Sequence, residues 1–258
     1  MRYFIHFSYD GTAYHGWQMQ PNAQTVQEVL QGAMITLMRK EISLTAAGRT
    51  DAGVHARQMF AHFDTDKLDD IDHLVYRLNA LLPADIGVKD LFPVPEEAHA
   101  RFSAVERSYE YWISYHKDPF LRDYALWVKQ ELDITSMNKA AELLLQHSDF
   151  ESFSRSNSDV KTFICEVRKA NWVQDRDKLI FQITADRFLR NMVRAVVGTL
   201  LQVGLGKISI QDVNAIIKSK DRGEAGASVA AKGLYLTRVE YPEALMVYRG
   251  QQRGGSQD

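Results

Sequence analysis

Two hydrophobic periods follow one another in a repeating order, and that order limits the fold more than any other feature of this chain. Tyr3, Ile5, Phe7 and Tyr9 alternate with Phe4, His6 and Ser8, the period of two that a strand requires. Thr25-Val-Gln-Glu28 has the spacing of a capping box, and Val26, Val29, Leu30, Ala33 and Leu37 then recur at helical spacing. Two short strands are expected over 42–47 and 57–63, joined by a glycine-bounded loop. Ile71, Leu74, Val75, Leu78 and Leu82 mark a second helix, stopped by Pro83, and 86–94 reads as the next strand. The order is β-α-β-β-α-β.

The same order returns. Arg107, Tyr109, Tyr111, Ile113 and Tyr115 make one face of a long strand. Met137, Ala140, Ala141 and Leu144 form a helix behind Asp133, a residue suited to cap it. Residues 162–172 and 178–186 read as a hairpin turning at 174–177. A strongly apolar helix is expected over 189–203, a further helix near 211–218, and a last strand over 234–241. Two such units predict an α+β protein of two tandem ferredoxin-like halves, their antiparallel sheets pairing into one platform with a central cleft. The halves fall at 1–104 and 105–245. Residues 246–258 have little to bury and are expected to be disordered.

At 258 residues the chain is long enough for two such halves. Its one cysteine, Cys165, excludes an internal disulfide framework and a Cys-rich zinc site, so a reducing, cytoplasmic setting is expected. No apolar run approaches the roughly 18 residues of a membrane span, and the alternating N-terminus is unlike a signal peptide. The net charge of −2 does not announce a nucleic-acid partner, but its distribution is uneven. From Asp64 to Glu97 there are nine acids and three bases; from Glu151 to Arg222 there are eight acids and thirteen bases. That pattern fits one basic working face, and equally an ordinary surface.

No phosphate-cradling loop of either common kind is present, and the histidines lack metal-ligand spacing, so His55, His62 and His147 read as structural or surface groups. Three segments stand out. In Ala47-Gly48-Arg49-Thr50-Asp51-Ala52-Gly53-Val54-His55-Ala56, two glycines bracket an Arg-x-Asp. Asp51 there suits a nucleophile or base with Arg49 holding an anion, although an Asp-x-Gly turn is commoner than an active site. Asp10-Gly11-Thr12-Ala13-Tyr14-His15-Gly16-Trp17-Gln18-Met19-Gln20 mixes aromatics and amides, which suits gripping unpaired nucleotides or a loop anchored on the sheet by Trp17. In Arg187 to Gly198, helical spacing puts Arg187, Arg190, Arg194 and Gly198 on one face. A buried arginine there needs an acidic partner, structural or catalytic.

Those segments occur in order with Asn79-Ala80-Leu81-Leu82-Pro83-Ala84-Asp85-Ile86, Ala100-Arg101-Phe102-Ser103-Ala104 and Arg107-Ser108-Tyr109-Glu110-Tyr111. Together they resemble the tRNA pseudouridine synthase A family, from about residue 3 to Pro242. The resemblance implies isomerisation of uridine to pseudouridine at positions 38, 39 and 40 of the tRNA anticodon stem-loop. It implies a homodimer acting without metal or organic cofactor. By the same resemblance Asp51 is the catalytic aspartate, Tyr109 the active-site tyrosine and Arg194 the basic partner of the aspartate. Leu234 is similar to the apolar residue that packs on the base, and Arg49 to the arginine that helps extract it from the helix. Two other classes fit parts of the pattern. A non-catalytic RNA-binding platform would not need Asp51, and a base-excising glycosidase would release uracil.

Overall fold

The computed structural model describes residues 1–155 and 160–246; of the expected disordered tail, residues 247–258 lie outside the described residues. The chain forms two compact units, Met1–Val105 with Leu236 onward, and Glu106–Tyr235. In chain order the elements are β1 (Arg2–Tyr9), α1 (Val26–Met38), β2 (Thr45–Ala46), β3 (His55–Asp64), α2 (Ile71–Leu81) and β4 (Ile86–Val94). They continue with β5 (Glu106–Ser114), β6 (Leu126–Trp127), α3 (Ile134–Leu143), β7 (Val167–Asp175), β8 (Lys178–Ala185), α4 (Met192–Gly204), α5 (Ile210–Ser219) and β9 (Leu234–Glu240).

In the first unit β1 is flanked by β3 and β4, antiparallel to both, and the residues of β9 from Leu236 lie beside β3. Tyr3 through Phe7 are all buried, so β1 is covered on both faces and its alternation sorts two aromatic clusters. Phe4 and His6 meet Phe60, while Phe4 also meets Phe92 and Tyr241; on the other parity Tyr3 meets Phe63, and Phe7 meets Tyr9 and Trp17. Truncating a ring such as Phe4 to alanine costs about 3–5 kcal/mol in such a setting.

Helix starts here follow side-chain caps. The Thr25 hydroxyl accepts from the Glu28 N–H at 3.3 Å and the Asp70 carboxylate from His73 N–H at 2.9 Å. α2 ends at Leu81, and its C-cap Leu82 is extended, the conformation favoured before a proline. The expected strand over 42–47 shrinks to Thr45–Ala46. The cause is local: Gln31 Oε1 accepts from the Leu44 N–H at 3.1 Å, and Gln27 Nε2 donates to the Leu44 carbonyl at 3.0 Å. Side-chain amides of α1 therefore satisfy the backbone where ladder bonds were expected.

In the second unit β5, β8 and β7 form an antiparallel run, with Tyr109 opposite Ile183 and Trp172 opposite Phe181. The β7–β8 hairpin turns through Arg176, at φ 53°, and Asp177. Asp133 caps α3 as expected, accepting from Ser136 N–H at 2.9 Å. Two boundaries differ from the sequence reading. The strand expected over 162–172 begins at Val167, because Phe163 and Cys165 bond instead to Phe150 and Ser148. The helix expected from 189 begins at Met192, because Asn191 takes a left-handed φ of 67° at its N-cap. Arg187 and Arg190 therefore precede the helix and share no helical face with Arg194. Among the described residues no helix is long and apolar enough to cross a membrane, and no three His, Cys, Asp or Glu side chains are grouped to hold a metal ion.

Candidate active site

In the first unit Asp51 lies in the 47–54 loop between β2 and β3, half-buried, with exposed Arg49 two residues before it. The loop is shaped by the segment 10–17, and the two motifs that stood out separately in the sequence are one structure. Trp17 N–H donates to the Thr50 carbonyl at 3.2 Å, and Gly53 N–H to the Tyr14 carbonyl at 3.2 Å. The Tyr9 and Thr50 hydroxyls share a hydrogen bond of 2.8 Å. His55 Nδ1 accepts from Gly11 N–H at 3.1 Å, with Asp10 Oδ1 3.0 Å from the same nitrogen.

The approach is close enough to exclude side chains at two positions. A Cβ on Gly11 would stand 2.1 Å from the Val54 carbonyl oxygen. On Gly16, at φ +86°, it would stand 2.4 Å from that of Thr50. Val54 N–H closes a turn on the Asp51 carbonyl at 3.2 Å, and Gly53 sits at φ 76°. The commonplace Asp-x-Gly turn is therefore present, and its neighbours on both sides are pinned by another segment. The backbone that carries the Asp51 carboxylate is thereby held in one place.

The aromatics of segment 10–17 do not face solvent. Trp17 is 2 % exposed and packs on Phe7 at 5.3 Å; Tyr14 is 4 % exposed and donates to Asp85 at 2.6 Å. Burial and that hydrogen bond push the Tyr14 phenol up, so it remains a neutral donor. The anchoring reading of Trp17 holds, and the reading of exposed rings gripping nucleotides does not. His55 is likewise a buried structural group.

The second unit carries the other candidates. Tyr109 stands in β5 with its ring edge-to-face against Phe188, centroids 5.1 Å apart at 87°. Arg194, in the first turn of α4, is clamped twice to Val229: its Nε–H donates to the Val229 carbonyl at 2.8 Å, and Val229 N–H donates to its carbonyl at 3.2 Å. Val229 belongs to a strap, 222–233, that crosses α4. A Cβ on Gly198 would be 1.9 Å from the Ala227 carbonyl oxygen, and one on Gly226 would be 2.8 Å from the Gly198 carbonyl carbon. Thr199 Oγ1 accepts from Gly226 N–H at 2.9 Å, and Asn191 and Arg222 both donate to Ser228 Oγ.

The strap ends on Tyr111, whose hydroxyl donates to the Ala230 carbonyl at 2.8 Å, and then enters β9 at Leu234, a buried residue. Burial pushes the Tyr111 phenol up, and the Arg194 charge acts against that rise. Arg49 and Asp51 thus share one loop of the first unit. Arg194 and Leu234 are organised by one strap of the second, with Tyr109 two residues before Tyr111. The sequence reading gave no part in the site to Thr50, Thr199 or Tyr111 and did not foresee the strap. The available signal was Gly198, a glycine inside an apolar helix where a backbone passes close.

Comparison with known proteins places these features in context. Residues 5–103 and 140–242 match the family model described as tRNA pseudouridine synthase. The chain is 50% identical over 246 residues to a protein of Bacteroides fragilis named tRNA pseudouridine synthase A, covering 95% of this chain and 98% of that one. A protein of the same name from Parabacteroides distasonis is 48% identical over 245 residues, covering 95% and 97%. Another, from Ruminiclostridium cellulolyticum, is 40% identical over 236 residues, covering 90% and 96%.

Proposed function

The chain belongs to the tRNA pseudouridine synthase family, isomerases that act on tRNA, and from that premise we propose that it converts uridine to pseudouridine at positions 38, 39 and 40 of the anticodon stem-loop. The observation that carries the reading is the Asp51 loop: the motif that resembles the family's catalytic-aspartate motif is gripped by the segment 10–17, closely approached at Gly11 and Gly16, and by the Tyr9 hydroxyl on Thr50. The two tandem ferredoxin-like halves with a central cleft belong to the same proposal.

Isomerisation breaks the N1–C1′ bond, turns the base over and forms a C5–C1′ bond; the proton lost from C5 is balanced by one gained at N1. Asp51 is the carboxylate of this reaction, acting on the sugar or the base or removing a C2′ proton. Arg194 is its counter-ion, since an unpaired carboxylate in a cleft tends to protonate. Tyr109 stacks on the uracil and offers its hydroxyl for proton transfer, while Leu234 packs on the base. Arg49 helps extract a stem uridine, whose flipping costs a few kcal/mol. The base never leaves, so the chemistry calls for no cofactor. The protein acts in the cytoplasm as a homodimer, with one protomer holding the target uridine and its partner holding the rest of the tRNA.

Incubation with an unmodified tRNA transcript and mapping of pseudouridine tests the reading. Conversion at 38–40 without a mass change or free uracil is the expected result. Released uracil would make the protein a glycosidase, and binding without conversion would make it an RNA-binding platform.

A further inference from the structure

Residues 98–103 of the first unit form a turn held by buried and half-buried groups of that unit. Arg2 donates to the Ala98 carbonyl at 3.0 Å, and the Tyr241 hydroxyl donates to that of Ala100 at 2.7 Å. His62 Nδ1 accepts from Ala100 N–H at 3.1 Å. Burial lowers the His62 pKa to about 4, so this nitrogen stays an acceptor at neutral pH. Inside the turn, His99 and Ser103 exchange two hydrogen bonds of 2.9 Å, and His99 Nδ1 accepts from the N–H groups of Arg101 and Phe102 at 3.1 and 3.3 Å.

All of this order presents two side chains outward. Arg101 is exposed, and Phe102 is 75 % exposed despite its rigid backbone. The rings of His62, His99 and Phe102 succeed one another at 4.5 and 4.4 Å, leading from the interior to solvent, and the Arg101 guanidinium lies 5.6 Å from the Phe102 centroid. Asp64, the acid beside His62, is taken up by a two-point hydrogen bond to Arg2. A fixed aromatic ring with a guanidinium at its side is the chemistry that holds an unpaired base and its phosphate.

We propose that Phe102, backed by His99 and flanked by Arg101, is a stacking platform for an unpaired base of the RNA substrate, with Arg101 serving the adjoining phosphate. The proposal rests on the reading of tRNA as substrate and adds a contact surface to it. A platform one ring wide suits a base better than a protein partner, which needs a broader desolvated patch.

The test measures dissociation constants of the full chain for an unmodified tRNA transcript, with pseudouridine formation by the unaltered protein followed in parallel. Phe102→Ala and Phe102→Leu are expected to weaken binding roughly 10- to 100-fold, as loss of one stacked base does, and Phe102→Trp to retain it. The added indole of Phe102→Trp is expected to be quenched by tRNA relative to the unaltered protein. Arg101→Gln is expected to lower the salt dependence of binding by about one phosphate contact. Unchanged affinity in Phe102→Ala and Phe102→Leu, or an unquenched indole, overturns the platform. A change of oligomeric state with tRNA affinity intact also overturns it and makes the ring a protein contact. If the unaltered protein forms no pseudouridine, the functional reading fails, whatever Phe102 does.

Discussion

The loop carrying Asp51 and the strap clamping Arg194 both depend on glycines that let one backbone touch another, yet they hold their charges differently. Around Asp51 the grip is on the backbone on either side of the residue, at Thr50, Gly53 and Val54. Around Arg194 the grip includes the side chain itself, through Nε–H to the Val229 carbonyl. A carboxylate on a short stem ranges over few positions once its backbone is fixed. A guanidinium on a long stem needs its head held as well.

The largest expected effect separates chemistry from architecture. Asp51→Asn keeps the loop's shape and removes the charge, so turnover on a tRNA transcript should fall at least about 10³-fold while tRNA affinity and melting temperature hold. Appreciable turnover in the purified variant would end the assignment.

Gly198→Ala and Gly16→Ala probe the two crossings directly. Each Cβ would meet a carbonyl oxygen, at 1.9 and 2.4 Å, and Gly16 also carries a positive φ. Each should lose about 2–4 kcal/mol of stability in urea titrations. A loss in one but not the other would show that only one crossing is rigid.

Arg194→Lys keeps the charge and loses the Nε–H clamp. Turnover should drop roughly 10- to 100-fold with stability little changed, a sign that the head's position matters beyond its charge. Equal activity of the lysine variant would erase the contrast drawn above.

Tyr9→Phe removes only the hydroxyl bonded to Thr50 and should cost about 1 kcal/mol, read by denaturant melts. Gly48→Ala, whose Cβ would meet nothing within 4 Å, should stay within about 0.5 kcal/mol of the unaltered protein, marking the edge of the gripped region.

Much of this was open to sequence reasoning because it is local. The caps at Thr25, Asp70 and Asp133, the stop before Pro83, and the β7–β8 hairpin each depend on residues within a few positions. Periodicity gave the order of the main strands and helices, though not β6; the Arg-x-Asp between glycines made Asp51 a candidate beside an ordinary turn, and the family resemblance gave it its role. Tertiary contacts decided the rest. Leu44 leaves the ladder because two glutamines of α1 reach it, and residues 163–165 leave theirs for 148–150. Tyr14 and Trp17 turn inward because Asp85 and Phe7 wait for them. The strap over α4 and the entry of the chain from Leu236 into the first unit join residues far apart in sequence, where no period or cap can speak. Sequence alone therefore determined most of the elements, though not all their ends, and a candidate carboxylate. Which backbone grips it was decided by tertiary packing, because a glycine such as Gly16 or Gly198 can mark a close approach but does not say which distant segment makes it.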